Sequence, residues 1–200
     1  MEITTGDPNI IVAVIDIGVE SNHPDLVGNL VPGYDFFDGD NQPDPVYGHE
    51  YNGHGTCCAG LIAARGNNEI GVSGVTWNCK VMPVRTHQAD AEGVWHLITE
   101  SAIATAFRWA ASNDADILSN SWALANPRPI LHSAIMDITK DGGIGRGGKG
   151  CVVLFAAGND SKPISVYPQK YYEVIVVGAT DHNDVRWSYM RLCILICWIY

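Results

Sequence analysis

The sequence predicts an α/β domain of three layers, doubly wound around a mostly parallel sheet, on three observations. Short continuous apolar runs rich in Val and Ile occur at residues 10–15, 81–84, 152–155 and 174–177, with a fifth at 117–122. Unbroken apolar runs of this length mark strands covered on both faces. Between them lie stretches with helical character at 55–64, 99–112 and 130–137. Strands alternating with helices give a parallel sheet, and in such sheets function collects at the carboxyl ends of the strands. No internal repeat or linker divides the chain.

The first run ends on Asp16 within Val12-Ala-Val-Ile-Asp-Ile-Gly-Val19, a carboxylate closing a buried strand. The loop Asp35-Phe-Phe-Asp-Gly-Asp-Asn-Gln-Pro-Asp-Pro45 reads as a solvated acidic segment. In Asn52-Gly-His54-Gly-Thr-Cys-Cys-Ala-Gly60 a histidine stands where the helix 55–64 begins, between two glycines that permit close approach. A helix N-terminus disfavours imidazolium, which suits a resting general base. Ile103, Phe107, Ala110 and Ala111 lie at helical spacing within 99–112. The glycine-rich loop from Gly142 to Gly150 precedes the strand 152–155, which opens into Ala156, Ala157, Gly158 and Asn159. An asparagine amide there can donate to a developing oxyanion.

At 200 residues the chain fits one domain, and 46% hydrophobic with 17% charged residues are globular values. A formal net charge of −10 argues against a nucleic-acid partner and is compatible with carboxylates around a cation such as calcium. Residues 1–9 show no signal peptide, and no apolar run approaches the roughly 20 residues that span a bilayer. Cys57, Cys58, Cys79, Cys151, Cys193 and Cys197 lack zinc-ligand spacing and read as buried thiols. Two rival motifs fall away. The glycines from Gly143 to Gly148 precede a strand rather than open a helix, so they do not cradle phosphate. His49 and His54 are five apart with Gly53 between, the wrong spacing for a zinc-protease helix.

Asp16 in Val-Ile-Asp-x-Gly-Val, His54 in His-Gly-Thr-x-x-Ala-Gly and Asn159 in Ala-Ala-Gly-Asn, in this order, resemble the subtilisin-like serine proteases, or subtilases. Asn22-His-Pro-Asp-Leu26 and Ser119-Asn-Ser-Trp122 extend the match. The resemblance implies a subtilisin-like fold over residues 1–189, C-terminally incomplete, and a serine-type endopeptidase acting on polypeptides through an Asp-His-Ser triad. Asp16 would orient His54, and Asn159 would stabilise the oxyanion. Ser119, Asn120, Ser121 and Trp122 would pair with substrate backbone, with Ala156, Ala157 and Gly158 as the opposite wall. The resemblance also implies structural calcium held by Asp25 and Asn68, with carbonyls of Gly66, Ile70 and Val72. Features such as Cys58 after His-Gly-Thr and the Asp40–Pro45 loop lean towards the kexin-like branch, although Ala123 and Leu124 replace that branch's acidic continuation. The family is mostly secreted, and the compartment of this chain stays open.

Four departures qualify the resemblance. No Gly-Thr-Ser-x-x-x-Pro segment occurs, and Ser161, Ser165 and Ser188 lack its context, so the chain is expected to be inactive alone. Residues 190–200 form an unmatched apolar tail, read as a shifted frame. Ile17 stands where a small or polar residue is usual beside the aspartate, and Ala123 where glycine follows Ser-Trp. The alternative expectation is a peptide-binding protein that keeps the groove and has no chemistry.

Overall fold

The apolar runs assemble into one parallel sheet. A computed structural model of the protein describes residues 4–186 and 188. Along the chain these form β1 (Ile11–Asp16), β2 (Tyr34–Asp35), α1 (His54–Ala63), β3 (Lys80–Arg85), β4 (His87–Ala89), β5 (Trp95–Leu97), α2 (Glu100–Ser112), β6 (Ile117–Asn120), α3 (Pro129–Thr139), β7 (Val152–Ala156) and β8 (Ile175–Val177). Six strands pair in the order β2-β3-β1-β6-β7-β8, each neighbour parallel. From β1 the chain builds outward first on the β3 side and then on the β6 side. The topological switch therefore lies between β1 and β6, where open α/β sheets hold their ligands. The tail 190–200 lies outside the described residues.

Both faces of β1 are buried. Val14 packs with Val19, Leu26, Ala59, Ala63 and Val81 under α1. Ala13 and Ile15 point to the other side, onto Ile103, Phe107 and Ala110 of α2 and Leu131 and Ile135 of α3. This period-two division makes three layers from one apolar strand. Thr99 caps α2, its hydroxyl accepting from the Ala102 amide at 3.3 Å. Glu100 then accepts from the Ile130 and Leu131 amides at 2.6 and 3.2 Å, satisfying orphan donors at the start of α3.

Four differences from the sequence reading have physical causes. The β4–β5 hairpin and the two-residue β2 lack any apolar run to announce them. β6 stops at Asn120 rather than 122, because the chain then leaves the sheet and Leu124 exchanges backbone hydrogen bonds of 2.7 and 2.8 Å with Tyr167. The acidic loop is not wholly solvated: Asp35 is 1% exposed and bonds the buried Arg85 guanidinium, which also reaches Asp38 and Gln88. Among the thiols, Cys79 and Cys151 are buried, Cys58 is half-buried and Cys57 is exposed, all four free. The glycine-rich loop carries only a 3₁₀ turn (Arg146–Gly148) before β7.

Candidate active site

Asp16 ends β1 and His54 begins α1, and a contact between glycine backbone atoms brings them together. A Cβ on Gly55 would lie 2.3 Å from the Gly18 carbonyl and 3.1 Å from Asp16 Cβ, so only glycine lets the first turn of α1 settle there. Gly18 itself sits at φ +115°, a conformation that glycine adopts without strain. The result is His54 Nδ1 at 2.8 Å from Asp16 Oδ1 and 3.0 Å from Oδ2. Asp16 is 1% exposed, while the His54 side chain is 36% exposed.

The aspartate is held from several sides. Its Oδ1 accepts from the Ile17 amide at 2.8 Å, and its carbonyl accepts from the Thr86 amide at 2.9 Å. The Trp122 indole donates to the neighbouring Ile15 carbonyl at 2.9 Å. Ile17 thus supports the carboxylate through its backbone, and its fully buried side chain packs into the core.

Two influences act in opposite directions on the His54 imidazole: the helix N-terminus disfavours its charged form, and the Asp16 carboxylate favours it. The hydrogen bond to Asp16 raises its pKa from 6.5 to about 10, helped by Cys58 and opposed by burial. The partial charge at a helix end is weaker than a whole carboxylate in direct contact. Cys58, one helical turn on, places Sγ 3.9 Å from Nδ1 and 3.5 Å from the Ser121 hydroxyl.

The segment 119–122 divides by role. Ser119 lies between Val14 of β1 and Leu154 of β7 within the sheet. Asn120 is 2% exposed and donates its amide to the Leu118 and Leu154 carbonyls. Trp122 is in the core against Phe107 and Phe155, and its carbonyl accepts from Gln169. Ser119 and Ser121 are both half-buried, and Ser121 is the one whose hydroxyl lies beside Cys58 of His54's helix. Ala156 ends β7 and Ala157 and Gly158 follow it, and Gln169 also donates to the Ala156 carbonyl at 2.9 Å, tying the two walls together. Asn159 is exposed just beyond them, after Gly158 at φ +96°. With β6 between β1 and β7, its strand is two spacings, roughly 10 Å, from that of Asp16. Ser161 donates to the Ser188 carbonyl, and no described serine bonds His54.

Several contributors were not legible beforehand. Trp95 meets His54 edge-on with ring centroids 5.2 Å apart, and His87 packs between Trp95 and Trp122. Burial pushes the His87 pKa down to about 4. Asn52 clamps the turn before His54 to β4 through both Ala89 backbone groups, at 3.1 and 3.3 Å. Asn52 stood inside the quoted motif; Trp95 and His87 carried no sequence signal.

On the far side of α1, the loop around Asp25 fits a hard cation. Asp25 is 1% exposed and forms no ion pair among the described residues. Its oxygens accept only neutral donors, Asn68 Nδ2 and the Val72 amide, each at 2.8 Å. Asn67, Glu69 and Gly71 all have positive φ, curling the loop over the carboxylate. A Cβ on Gly71 would lie 2.4 Å from Asp25 Oδ2. The carbonyls of Gly66, Ile70 and Val72 accept no hydrogen bond among the described residues. A buried carboxylate with uncommitted carbonyls nearby is an oxygen donor set of the kind calcium takes.

An α/β sheet with a buried aspartate paired to a half-exposed histidine at its switch point defines a hydrolase-like class of site, and comparisons specify the family. The model of the subtilase family of peptidases matches residues 7–195. Thermitase of Thermoactinomyces vulgaris is 35% identical over 178 residues, covering 89% of this chain and 57% of that protein. A solved protease of Pseudoalteromonas arctica PAMC 21717 superposes with TM-score 0.72 at 29% identity, over 94% of this chain and 60% of that one. A cold-adapted subtilisin-like serine proteinase gives 0.73 at 25% identity, over 97% and 64%. The chain belongs to the subtilase family. It spans little more than half the length of thermitase. Among the described residues, no helix is long and apolar enough to cross a membrane.

Proposed function

We propose that this chain supplies the general base, its orienting carboxylate and the oxyanion donor of a serine endopeptidase, and that the 200 residues alone do not turn over substrate. The observation that carries the reading is His54 Nδ1 bonded to a buried carboxylate at 2.8 Å on the switch point of the sheet. Asp16 fixes the ring with Nδ1 towards itself, which leaves Nε2 for a serine hydroxyl. As that oxygen attacks the substrate carbonyl carbon, its proton passes to Nε2 and the imidazolium is stabilised by Asp16. Asn159 donates to the carbonyl oxygen as it gains charge. His54 then protonates the leaving amine, and water releases the acyl group. The substrate is a polypeptide lying between Ser121 and Ala156–Gly158. No residue of the 200 supplies the serine in its required segment.

The test is a chimera that continues residues 1–186 with the matching C-terminal part of thermitase. It is expected to hydrolyse casein, while the 200-residue chain does not. A chimera that folds by circular dichroism yet leaves casein intact overturns the reading, and hydrolysis by the chain alone overturns its second half.

Calcium belongs to the same proposal, at Asp25, Asn68 and the carbonyls of Gly66, Ile70 and Val72. At a hundredfold excess over its Kd, an ion that binds only the folded state adds about 2.7 kcal/mol, or roughly 5–10 °C in Tm for a domain of this size. Thermal scans with calcium and with chelator should show that interval, and Asp25→Asn should abolish it. Equal midpoints in wild type with and without calcium would refute the site.

A further inference from the structure

The β6–β7 ladder closes with Asn120 opposite Phe155, and beyond it the two chains part. The segment from Ser121 leaves the sheet, while β7 runs on to Ala156 and then into Ala157 and Gly158. One group bridges the gap that opens between them. The Gln169 carboxamide Nε2 donates to the Trp122 carbonyl at 3.0 Å on one side and to the Ala156 carbonyl at 2.9 Å on the other. The two N–H bonds of an amide diverge by about 120°, so the oxygens they serve lie roughly 5 Å apart. A ring or methyl packed between two surfaces holds them roughly 7 Å apart, twice the ordinary contact distance, so nothing enters the gap at its base. We propose that Gln169 is the floor of the pocket that receives the substrate side chain just before the cleaved bond, restricting it to small side chains such as those of alanine and serine. This rests on the endopeptidase reading of the same cleft.

Gln169 is 5% exposed, and the segment that carries it is fixed. Tyr167 exchanges backbone hydrogen bonds of 2.7 and 2.8 Å with Leu124. The Tyr171 hydroxyl accepts from the Arg128 amide at 2.9 Å and donates to the Arg128 carbonyl at 3.3 Å. Its ring stacks on His132 of α3, with centroids 3.8 Å apart. These anchors all lie on the chain that continues Ser121 and Trp122, so the segment 167–171 belongs to that wall. The bond to Ala156 then sets the position of the opposite wall. Swinging the carboxamide aside would strip both carbonyls of this donor at once.

The other end of the amide is treated differently. Gln169 Oε1 is closed off from solvent and has no hydrogen-bond partner among the described residues. A glutamine placed for stability alone would pair both ends, because an orphaned buried acceptor is unfavourable. Here the donor end is committed to the two walls and the acceptor end goes unpaired. Being closed off, Oε1 offers no acceptor to a substrate, so the pocket selects by depth rather than by hydrogen bonding. Shortening residue 169 should deepen the pocket and release the two walls from each other.

The chimera with thermitase reads this on two peptides that differ only in alanine or phenylalanine before the cleaved bond. Wild type should favour alanine in kcat/KM by at least about tenfold, the lower end of what the fit of a pocket discriminates. Gln169→Ala should raise phenylalanine relative to alanine by at least about tenfold, in a variant that circular dichroism shows to be folded. Gln169→Asn keeps the amide but is one methylene too short to span both carbonyls, and should move the ratio the same way. A strut with no part in selection would lower both peptides together. An unchanged ratio in a folded variant, or a wild-type preference for phenylalanine, overturns the floor; the wild-type preference requires no variant to fold. If the chimera is inactive, the same choice is read without catalysis, by calorimetry of product peptides ending in alanine or phenylalanine on the 200-residue chain and its Gln169→Ala variant. A shift of preference there upholds the floor and refutes the protease chemistry alone. No binding of either peptide, or no shift, overturns the floor.

Discussion

Replacing Asp16 by asparagine is expected to lower the His54 pKa from about 10. The hydrogen bond to Asp16 is the largest influence raising it; the contact with Cys58 remains in the variant, and burial pulls the other way. A titration of the His54 ring by NMR in wild type and variant reads this directly, and a shift of less than about one unit would refute the assignment. Stability follows with a defined sign. A histidine whose folded pKa is raised contributes stability that is fully present below pH 6.5 and is lost as pH rises to about 10. Asp16→Asn should therefore flatten the dependence of stability on pH within that window, by an amount reduced by solvent screening of the part-exposed ring. In the active chimera the same change should lower kcat by about 10⁴, the cost of this substitution in a triad of unrelated fold.

Gly55→Ala is expected to destabilise the fold, and Gly60→Ala, five residues along the same helix, to do the reverse. The Gly55 Cβ would collide with the Gly18 carbonyl at 2.3 Å, whereas one on Gly60 meets nothing within 4 Å. Overpacking of this kind costs about 1–3 kcal/mol. Gly→Ala in an unhindered helical position gains about 0.4–1 kcal/mol by restricting the unfolded chain. At roughly 2–4 °C per kcal/mol for a domain of this size, thermal scans should show opposite shifts. Gly55→Ala should also lengthen the Asp16–His54 contact and lower the His54 pKa. An unchanged melting temperature for Gly55→Ala would show that the α1–β1 contact is not as tight as described.

How much could be read beforehand depended on whether the signal was local. The five apolar runs became sheet strands because a run of Val and Ile can satisfy a strand buried on both faces, and little else of that length does. The spacing of Ile103, Phe107 and Ala110 placed α2 nearly to the residue, since helical periodicity acts over a few positions. β2 and the β4–β5 hairpin were missed because two or three residues carry no period. The acidic loop was misjudged for a different reason. Asp35 is stabilised by Arg85, fifty residues away on a neighbouring strand, and nothing near either residue in sequence records the pair.

The site shows the same division. Asp16, His54 and Asn159 were legible because each lies at a strand end or helix start among small residues, in the order of one family. The raised pKa of His54 was not, because it is set by a carboxylate thirty-eight positions away in the chain. Nor did the sequence separate Ser121 from the buried Asn120 and Trp122, since that depends on where β6 leaves the sheet. By itself the sequence determined five of the strands, the helices and the family, all of which follow from local pattern, and it offered Asp16, His54 and Asn159 as the candidate reacting groups. The tertiary structure alone decided which groups touch, and so the raised pKa of His54, the burial of Arg85 and the meeting of Asp16, His54 and Cys58. Electrostatics and coordination depend on distances of a few ångströms, and only the folded chain fixes those between residues far apart in sequence.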